Sequence, residues 1–317
     1  MRPARRLTQP IALAALLALP WLSLLAGCSD TFTPPSVVED LRVLALVAEP
    51  PEVGPPPGAG PLLSVTVTAV LAAPLPGAPA SGAAGLTERW SFCPLSAGAA
   101  TGYACAVPAC EVALTPVGRT VTFQPQAELQ ACLLRLGGVL PSETSGAALP
   151  ATLEVLVRYE VQQGTGLRRV AVQRIPVWTG AQATPAGWTA NRPPVISGVR
   201  IGGGAATPCP DPADTSGCAP SGALGAGQLA VEAAIDPASV DTVTDSNGRS
   251  VPETVAISFF TTAGRFTEER GQDPLAATAL KPESLPAGTG AGLLWVAARD
   301  LRGGEAVAGP YRVTIAR

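Results

Sequence analysis

The sequence predicts an all-β protein built from two β-sandwich domains with long Pro/Gly/Ala-rich loops. Several stretches alternate between apolar and polar residues, which is the pattern of strands with one buried face. The chain contains 34 glycines and 34 prolines, too many for long helices, and most lie between the alternating stretches. No amphipathic helix is predicted beyond the N-terminal apolar segment. Many short strands with frequent turn signals are typical of sandwiches.

The first half of the chain contains most of the clear alternation. Strands are predicted over 40–47, 63–71, 87–93, 120–123, 152–161 and 168–178. Gly164-Thr165-Gly166 is predicted to form the turn that joins the strands 152–161 and 168–178 as a hairpin. Pro176 lacks a backbone N–H, so we expect the end of the last strand to lie at a sheet edge.

A domain boundary is predicted at Asn191-Arg192-Pro193-Pro194, because consecutive prolines cannot continue a central strand. The first sandwich then spans 37–185, the linker 186–194 and the second sandwich 195–317. Strands in the second are predicted over 195–201, 229–235, 254–261, 293–300 and 311–315. Asn247-Gly248 is a local hairpin signal.

The C-terminal end resembles a known type of domain. A strand ends at Asp300, the chain turns at Gly303-Gly304, and a Val-containing strand closes the sequence. This order is similar to the last two strands of bacterial immunoglobulin-like and PKD-like domains. The resemblance implies that both sandwiches are immunoglobulin-like.

The N-terminus has the layout of a secretory signal: Arg2, Arg5 and Arg6, an apolar run over 11–25, then small residues. The run has about 15 residues, short of the roughly 20 that span a bilayer as a helix. Leu25-Ala26-Gly27-Cys28 resembles the lipobox of bacterial lipoproteins. The resemblance implies a signal peptide over 1–27, cleavage before Cys28, acylation of that cysteine with chains such as palmitate, and a tether over 28–36.

The same resemblance implies that the protein is located in the cell envelope. Ser29 follows the cysteine and aspartate appears only at Asp30, whereas aspartate directly after the cysteine would resemble an inner-membrane retention signal. We therefore expect an outer-membrane lipoprotein, at the periplasmic face or the cell surface. The Ala/Gly/Pro-rich, lysine-poor composition is similar to that of envelope lipoproteins of high-GC bacteria.

Seven cysteines become an even number once Cys28 is set aside for lipid. An even number in an exported chain predicts disulfides. Cys209 and Cys218 have no near competitor and are predicted to pair. The other four can pair in three ways, which the sequence leaves open: Cys93, Cys105, Cys110 and Cys132. A zinc site is the alternative, but their spacing is irregular and contains no Cys-x-x-Cys.

The charges and the missing residue types restrict the function. The chain has no histidine, and this absence excludes Ser-His-Asp and Cys-His catalysis and His-ligated zinc. Its formal net charge is −3. Without a basic patch, no nucleic-acid partner is expected. No catalytic residue and no cofactor are predicted.

Two weak ligand sites remain. Asp236, Asp241 and Asp245 are calcium candidates together with Asn247, but they lack the order of an EF-hand, so solvated turns are favoured and no metal is predicted. Trp188 lies in a Gly/Thr/Ala-rich segment and is a weak candidate for contact with a ligand.

The sequence therefore predicts a membrane-anchored envelope lipoprotein that is not an enzyme and has a structural or protein-interaction role. Its expected partners are the membrane, through the lipid, and another envelope protein or a polysaccharide. The first alternative is a carbohydrate-binding or adhesive surface module. The second is a histidine-free hydrolase that uses paired carboxylates.

Overall fold

A computed structural model describes residues 34–55, 62–73, 85–137, 150–179, 189–210, 215, 217–244, 248–282, 290–300 and 302–316. The chain divides into two compact units, Met1–Pro35 and Ser36–Arg317. All the strands described below belong to the second unit.

The first half of this unit packs two sheets face to face. Its elements are β1 (Arg42–Glu49), β2 (Val65–Ala72), β3 (Leu86–Cys93), β4 (Val112–Leu114), β5 (Thr120–Phe123), α1 (Pro125–Arg135), β6 (Thr152–Gln163) and β7 (Arg168–Trp178). One sheet has the order β1-β2-β5 and the other β4-β3-β6-β7. The chain crosses from one sheet to the other after β2, after β4 and after β5, so each sheet combines strands from separate parts of the sequence.

Alternation along the strands builds the core between these sheets. In β2, Val65, Val67 and Ala69 are buried and point inward. Thr66 and Thr68 point outward, where their hydroxyls bond those of threonines on β5 at 3.1 and 3.0 Å. The period of two therefore separates an apolar face from a hydrogen-bonding face on one strand.

The second half repeats the plan with more strands. They are β8 (Ile196–Ile201), β9 (Gly204–Ala205), β10 (Gly222–Leu224), β11 (Leu229–Ile235), β12 (Thr242–Thr244), β13 (Ser250–Pro252), β14 (Ala256–Thr261), β15 (Arg265–Phe266), β16 (Arg270–Gln272), β17 (Leu275–Lys281), β18 (Ala291–Arg299) and β19 (Glu305–Ile315). The sheets have the orders β15-β17-β11-β8-β9 and β10-β19-β18-β14-β16, and β12-β13 form a separate hairpin. Three short 3₁₀ helices occupy Ala99–Thr101, Pro108–Cys110 and Pro237–Ser239.

The predicted all-β class is confirmed, and several strands lie where the alternation placed them. β5, β7 and β11 have the predicted limits. β7 is the last strand of its sheet, as Pro176 predicted, although Val53 forms an isolated parallel bridge with Val177 at that end. Thr242–Thr244 and Ser250–Pro252 form a hairpin around the Asn247-Gly248 signal, although residues 245–247 lie outside the described part.

The prediction of no helix after the signal was wrong. α1 spans Pro125–Arg135, with proline in its first turn, where the missing N–H costs nothing. It buries Leu129 and Cys132. Its apolar residues include Leu134, which is 80% exposed, so they do not form one clean stripe in the sequence, and a disulfide supplies part of the helix's attachment.

β17 was also missed. Its sequence is rich in alanine, a poor strand former. It forms because Leu280 and Ala276 enter the core of the second sandwich while the backbone pairs with β11. Tertiary contacts here outweigh intrinsic propensity.

Candidate functional site: a buried charged junction between the sandwiches

Three of the predicted site residues lie outside the described part of the chain: Cys28, Trp188 and Asp245. The six remaining cysteines form three disulfides, Cys93–Cys105, Cys110–Cys132 and Cys209–Cys218. The first two resolve the connectivity that the sequence left open. The third closes the loop between β9 and β10.

The two described calcium candidates have other roles. The Asp236 carboxylate caps a 3₁₀ helix by accepting a hydrogen bond from the Ala238 N–H at 3.0 Å. Asp241 is paired with the guanidinium groups of Arg192 and Arg302. Among the described residues, no group of three or more Asp, Glu, Cys or His side chains has the geometry to hold a metal ion. No helix in that part is long and apolar enough to cross a membrane.

The described tryptophans are all buried: Trp90 is 3% exposed, Trp178 6% and Trp295 3%. Trp90 packs against Tyr159 in the first core, with ring centroids 4.5 Å apart. None of the three offers an exposed ring face on which a sugar could stack.

An apolar seam joins the two sandwiches. Leu44, Val38 and Ala72 of the first pack against Leu293 and Trp295 of the second. β1 therefore buries both of its faces, because Leu46 and Ala48 enter the first core while Leu44 enters the seam. β18 does the same, with Leu294 and Val296 facing its own core.

Backbone hydrogen bonds reinforce this seam at its N-terminal end. The Val38 N–H donates to the Thr261 carbonyl at 2.7 Å, and the Thr261 N–H donates to the Ser36 carbonyl at 2.8 Å. The segment that leads into the first sandwich is thus paired, parallel, with the end of β14 in the second.

Charged groups continue the contact along β1. Glu305 accepts a hydrogen bond from the Leu46 N–H at 3.2 Å through one carboxylate oxygen. Its other oxygen pairs with Arg299 at 2.7 Å, and Arg299 also donates to the Leu44 carbonyl. These bonds satisfy β1 backbone groups that the seam removes from water.

Beside the seam lies a cluster of buried acidic and amide side chains, hereafter the junction cluster. Its buried members are Glu52 (8% exposed), Asn191 (2%), Asp241 (8%), Glu253 (6%) and Asp300 (7%). Glu52 comes from the first sandwich, Asn191 from the linker, and the rest from the second. Four carboxylates buried at one junction are unusual, because an unpaired buried charge is costly.

Arg302 connects these groups. Its guanidinium donates to Glu52 at 3.0 Å and pairs with Asp241 at 3.5 Å. Arg192 approaches Asp241 from the linker at 2.8 Å. The Glu52 carboxylate also accepts a hydrogen bond from the Asn191 N–H at 3.3 Å. One arginine thus ties the first sandwich to the second, and the linker bonds to both.

Asp300 shapes the turn that carries Arg302. One carboxylate oxygen accepts hydrogen bonds from the Arg302 and Gly304 N–H groups at 2.8 and 2.7 Å. The other accepts a hydrogen bond from the Asn191 side chain at 3.2 Å. Burial raises the pKa of Asp300, and these hydrogen bonds and Arg302 oppose that increase.

Among the carboxylates of the junction cluster, that of Glu253 has the fewest hydrogen-bond and ion-pair partners. Its Oε1 has no hydrogen-bond partner among the described residues, and neither has Oδ1 of Asn191. Burial is the main reason that the pKa of Glu253 rises to about 7. The charges of Asp300 and Asp241 raise it further, while Arg302 lowers it.

A separate open pocket of about 400 Å³ lies at β3 and β4. Glu88, Arg89, Glu111 and Arg158 contribute the charged part of its lining, so its formal charges balance. Beyond it, hydrogen bonding from Arg168 holds the pKa of Glu160 below its usual value. Trp90 also lines the pocket but is only 3% exposed, and nothing in the lining selects one ligand.

Sequence reasoning missed the junction cluster, although a signal for the seam was present. β18 contains a continuous apolar run rather than an alternating one, which is typical of a strand buried on both faces. The run was interpreted only as a strand. Nothing local marked Glu52 or Glu253, since each is an ordinary acid in a loop until folding brings the two together.

No protein-family profile and no curated protein sequence matches this chain. Among solved structures, the D00-D0 domain of intimin is 10% identical with a TM-score of 0.21, covering 88% of this chain and 99% of that one. The Clostridium thermocellum CbhA fibronectin(III)-like modules are 13% identical with a TM-score of 0.20, covering 90% of each chain.

A third similar structure is the Bacteroides ovatus mixed-linkage glucan utilization locus protein SGBP-B in complex with a heptasaccharide. It is 9% identical with a TM-score of 0.20, covering 88% of this chain and 70% of that one. With scores this low, the fold assignment depends on the sheets described above, and functional arguments depend on this chain's own residues.

Proposed function

We propose that this protein is an exported, lipid-anchored component of the cell envelope with a non-catalytic structural or protein-interaction role. The junction is the observation that carries the proposal. An apolar seam, backbone pairing and the ion pair between Arg302 and Glu52 hold the two sandwiches together. Such a junction suits a scaffold in which the contact between the sandwiches sets how two display surfaces are arranged.

The disulfides support the proposal that the protein is exported. Three bridges in one chain are typical of proteins that fold in an oxidising compartment. Leu25-Ala26-Gly27-Cys28 supplies the proposed anchor, and acyl chains contribute about 0.8 kcal/mol for each buried CH₂ group. Several chains on Cys28 would hold the folded part firmly at a membrane.

The buried carboxylates do not favour the hydrolase alternative. A general acid must reach the atom that it protonates, whereas Oε1 of Glu253 is closed to solvent. Glu52 and Asp241 are engaged by Arg302. The carbohydrate alternative depends on Trp188, because Trp90, Trp178 and Trp295 are buried.

The anchoring is tested by changing Cys28 to Ala in the full-length chain expressed in a Gram-negative host. We expect the variant to lose incorporation of an alkyne-palmitate label and to leave the membrane fraction. Ser29→Ala is the matched control and should keep both. Continued labelling of the Cys28→Ala chain would overturn the proposal.

A further inference from the structure

The junction cluster holds more negative charge than its cations balance. Four buried carboxylates face two guanidinium groups, those of Arg302 and Arg192. Arg192 is mostly exposed, with 62% of its side chain accessible, so its charge is partly screened by water. Full ionisation therefore leaves uncompensated negative charge inside the protein, which is strongly unfavourable.

The hydrogen bonds show which of the four carboxylates lacks a donor. Glu52 binds Arg302 and the Asn191 N–H, Asp241 binds both arginines, and Asp300 accepts three N–H donors. Oε1 of Glu253 has none among the described residues. Its backbone is held close, because the Glu253 N–H donates to the Asp241 carbonyl at 2.8 Å.

The charges facing Glu253 come from every part of the junction. Asp241 directly precedes β12, Asp300 directly follows β18, and Arg302 lies in the turn after it. Glu52, from the first sandwich, reaches the cluster through Arg302, and Arg192, from the linker, reaches it through Asp241. Two of the three charged groups acting directly on Glu253 are carboxylates, and both disfavour its ionised form.

We propose that the junction is a proton-dependent latch, in which Glu253 is protonated while the two sandwiches are docked and its ionisation loosens the contact between them. The required cation is a proton rather than a metal. Protonation removes one negative charge and converts an acceptor into a donor, in a cluster where Oδ1 of Asn191 is a second buried acceptor without a donor. This inference does not depend on the lipid anchor.

The direction of the effect follows from linkage. The pKa of Glu253 is raised from 4.5 to about 7 in this structure. In the proposed latch, opening admits water to the junction cluster and lowers this pKa, so docking is favoured at low pH. Its stabilising effect is complete below the unperturbed pKa and is lost as pH rises through the raised one. Between those two values, one proton changes the opening equilibrium by at most about tenfold per pH unit.

Hydrogen–deuterium exchange of the full-length protein in detergent measures this opening. The junction reporters are the N–H groups of Val38, Asn191 and Gly304, whose hydrogen bonds lie at the seam or in the junction cluster. After correction for intrinsic exchange, we expect their opening to increase several-fold from pH 5 to pH 8 and then to level off. Amides of β6 and β7, inside the first sandwich, serve as internal controls.

Glu253→Gln imitates the protonated side chain and should abolish this pH dependence while keeping the junction protected at pH 8. Glu268→Gln, an exposed acid of the same sandwich, should keep the pH dependence of the original chain. A Glu253→Gln profile parallel to that of the original chain would contradict the latch. So would protection that depends on added calcium.

A second measurement covers the case in which Glu253→Gln does not fold. Infrared difference spectra of the unmodified protein, labelled with ¹³C-glutamate, detect protonated glutamate carboxyl groups directly. We expect a labelled C=O band of a protonated acid to persist at pH 6 and to disappear by pH 8. Absence of this band at pH 6 would overturn the proposal.

Discussion

At the scale of single residues, the turn after β18 decides how the sandwiches meet. Asp300 accepts two backbone N–H donors in that turn and the Asn191 amide from the linker. The turn then presents Arg302 to Glu52. A strand ending in aspartate was part of the resemblance to immunoglobulin-like domains, but the burial of Asp300 and its bond to the linker were visible only in three dimensions.

Gly304→Ala tests this turn. A Cβ at position 304 would lie 2.1 Å from Oδ2 of Asp300 and 3.0 Å from Cα of Pro193, so the carboxylate must move and loses hydrogen bonds. We expect the free energy of unfolding to fall by about 2 to 3 kcal/mol, measured by urea denaturation. Gly198→Ala is the control, because a Cβ there meets nothing within 4 Å. Equal effects of the two changes would contradict the role of the turn.

At the scale of elements, α1 is a helix with weak amphipathic periodicity that a disulfide attaches to the first sandwich. The Cys110–Cys132 bridge attaches the helix to the short 3₁₀ helix Pro108–Cys110. Arg135 adds a hydrogen bond to the Ala109 carbonyl at 2.9 Å. With Leu129 as its main buried apolar side chain, the helix depends on this attachment more than on its own amphipathicity.

Replacing Cys110 and Cys132 together with Ala should therefore destabilise the first sandwich by about 3 kcal/mol, because the bridge closes a loop of 22 residues. The helical part of the circular dichroism spectrum should melt before the strand part. Replacing Cys209 and Cys218 is the matched control in the other sandwich and should leave that helical signal unchanged. Simultaneous melting of helix and strands in the first variant would argue against this dependence.

At the scale of the whole molecule, the seam determines whether the two sandwiches unfold together. Each has its own buried core, and the seam adds a third apolar cluster shared by both. Contacts of this kind couple two cores into one cooperative unit when their stabilisation is comparable to that of either part. We therefore expect a single unfolding transition for the intact chain.

Leu44→Ala should weaken this coupling. Leu44 is 3% exposed and lies in the seam, so truncating it should cost about 2 to 5 kcal/mol and separate the unfolding of the two sandwiches. Urea denaturation followed by both fluorescence and circular dichroism would detect the separation as non-coincident transitions. Leu275→Ala, at a position 56% exposed, should change stability by less than about 0.5 kcal/mol. A coincident, unshifted transition for Leu44→Ala would exclude a stabilising seam.

Local pattern was sufficient for the all-β class, most longer strands and the edge position of β7, because alternation and proline act through neighbouring residues. Leu25-Ala26-Gly27-Cys28 and the absence of histidine are likewise properties of the sequence alone. The tertiary structure decided the rest: the pairing of Cys93 with Cys105, the attachment of α1, and the junction cluster. Glu52 and Arg302 are 250 positions apart, and their chemistry depends on burial and distance, which no local pattern records.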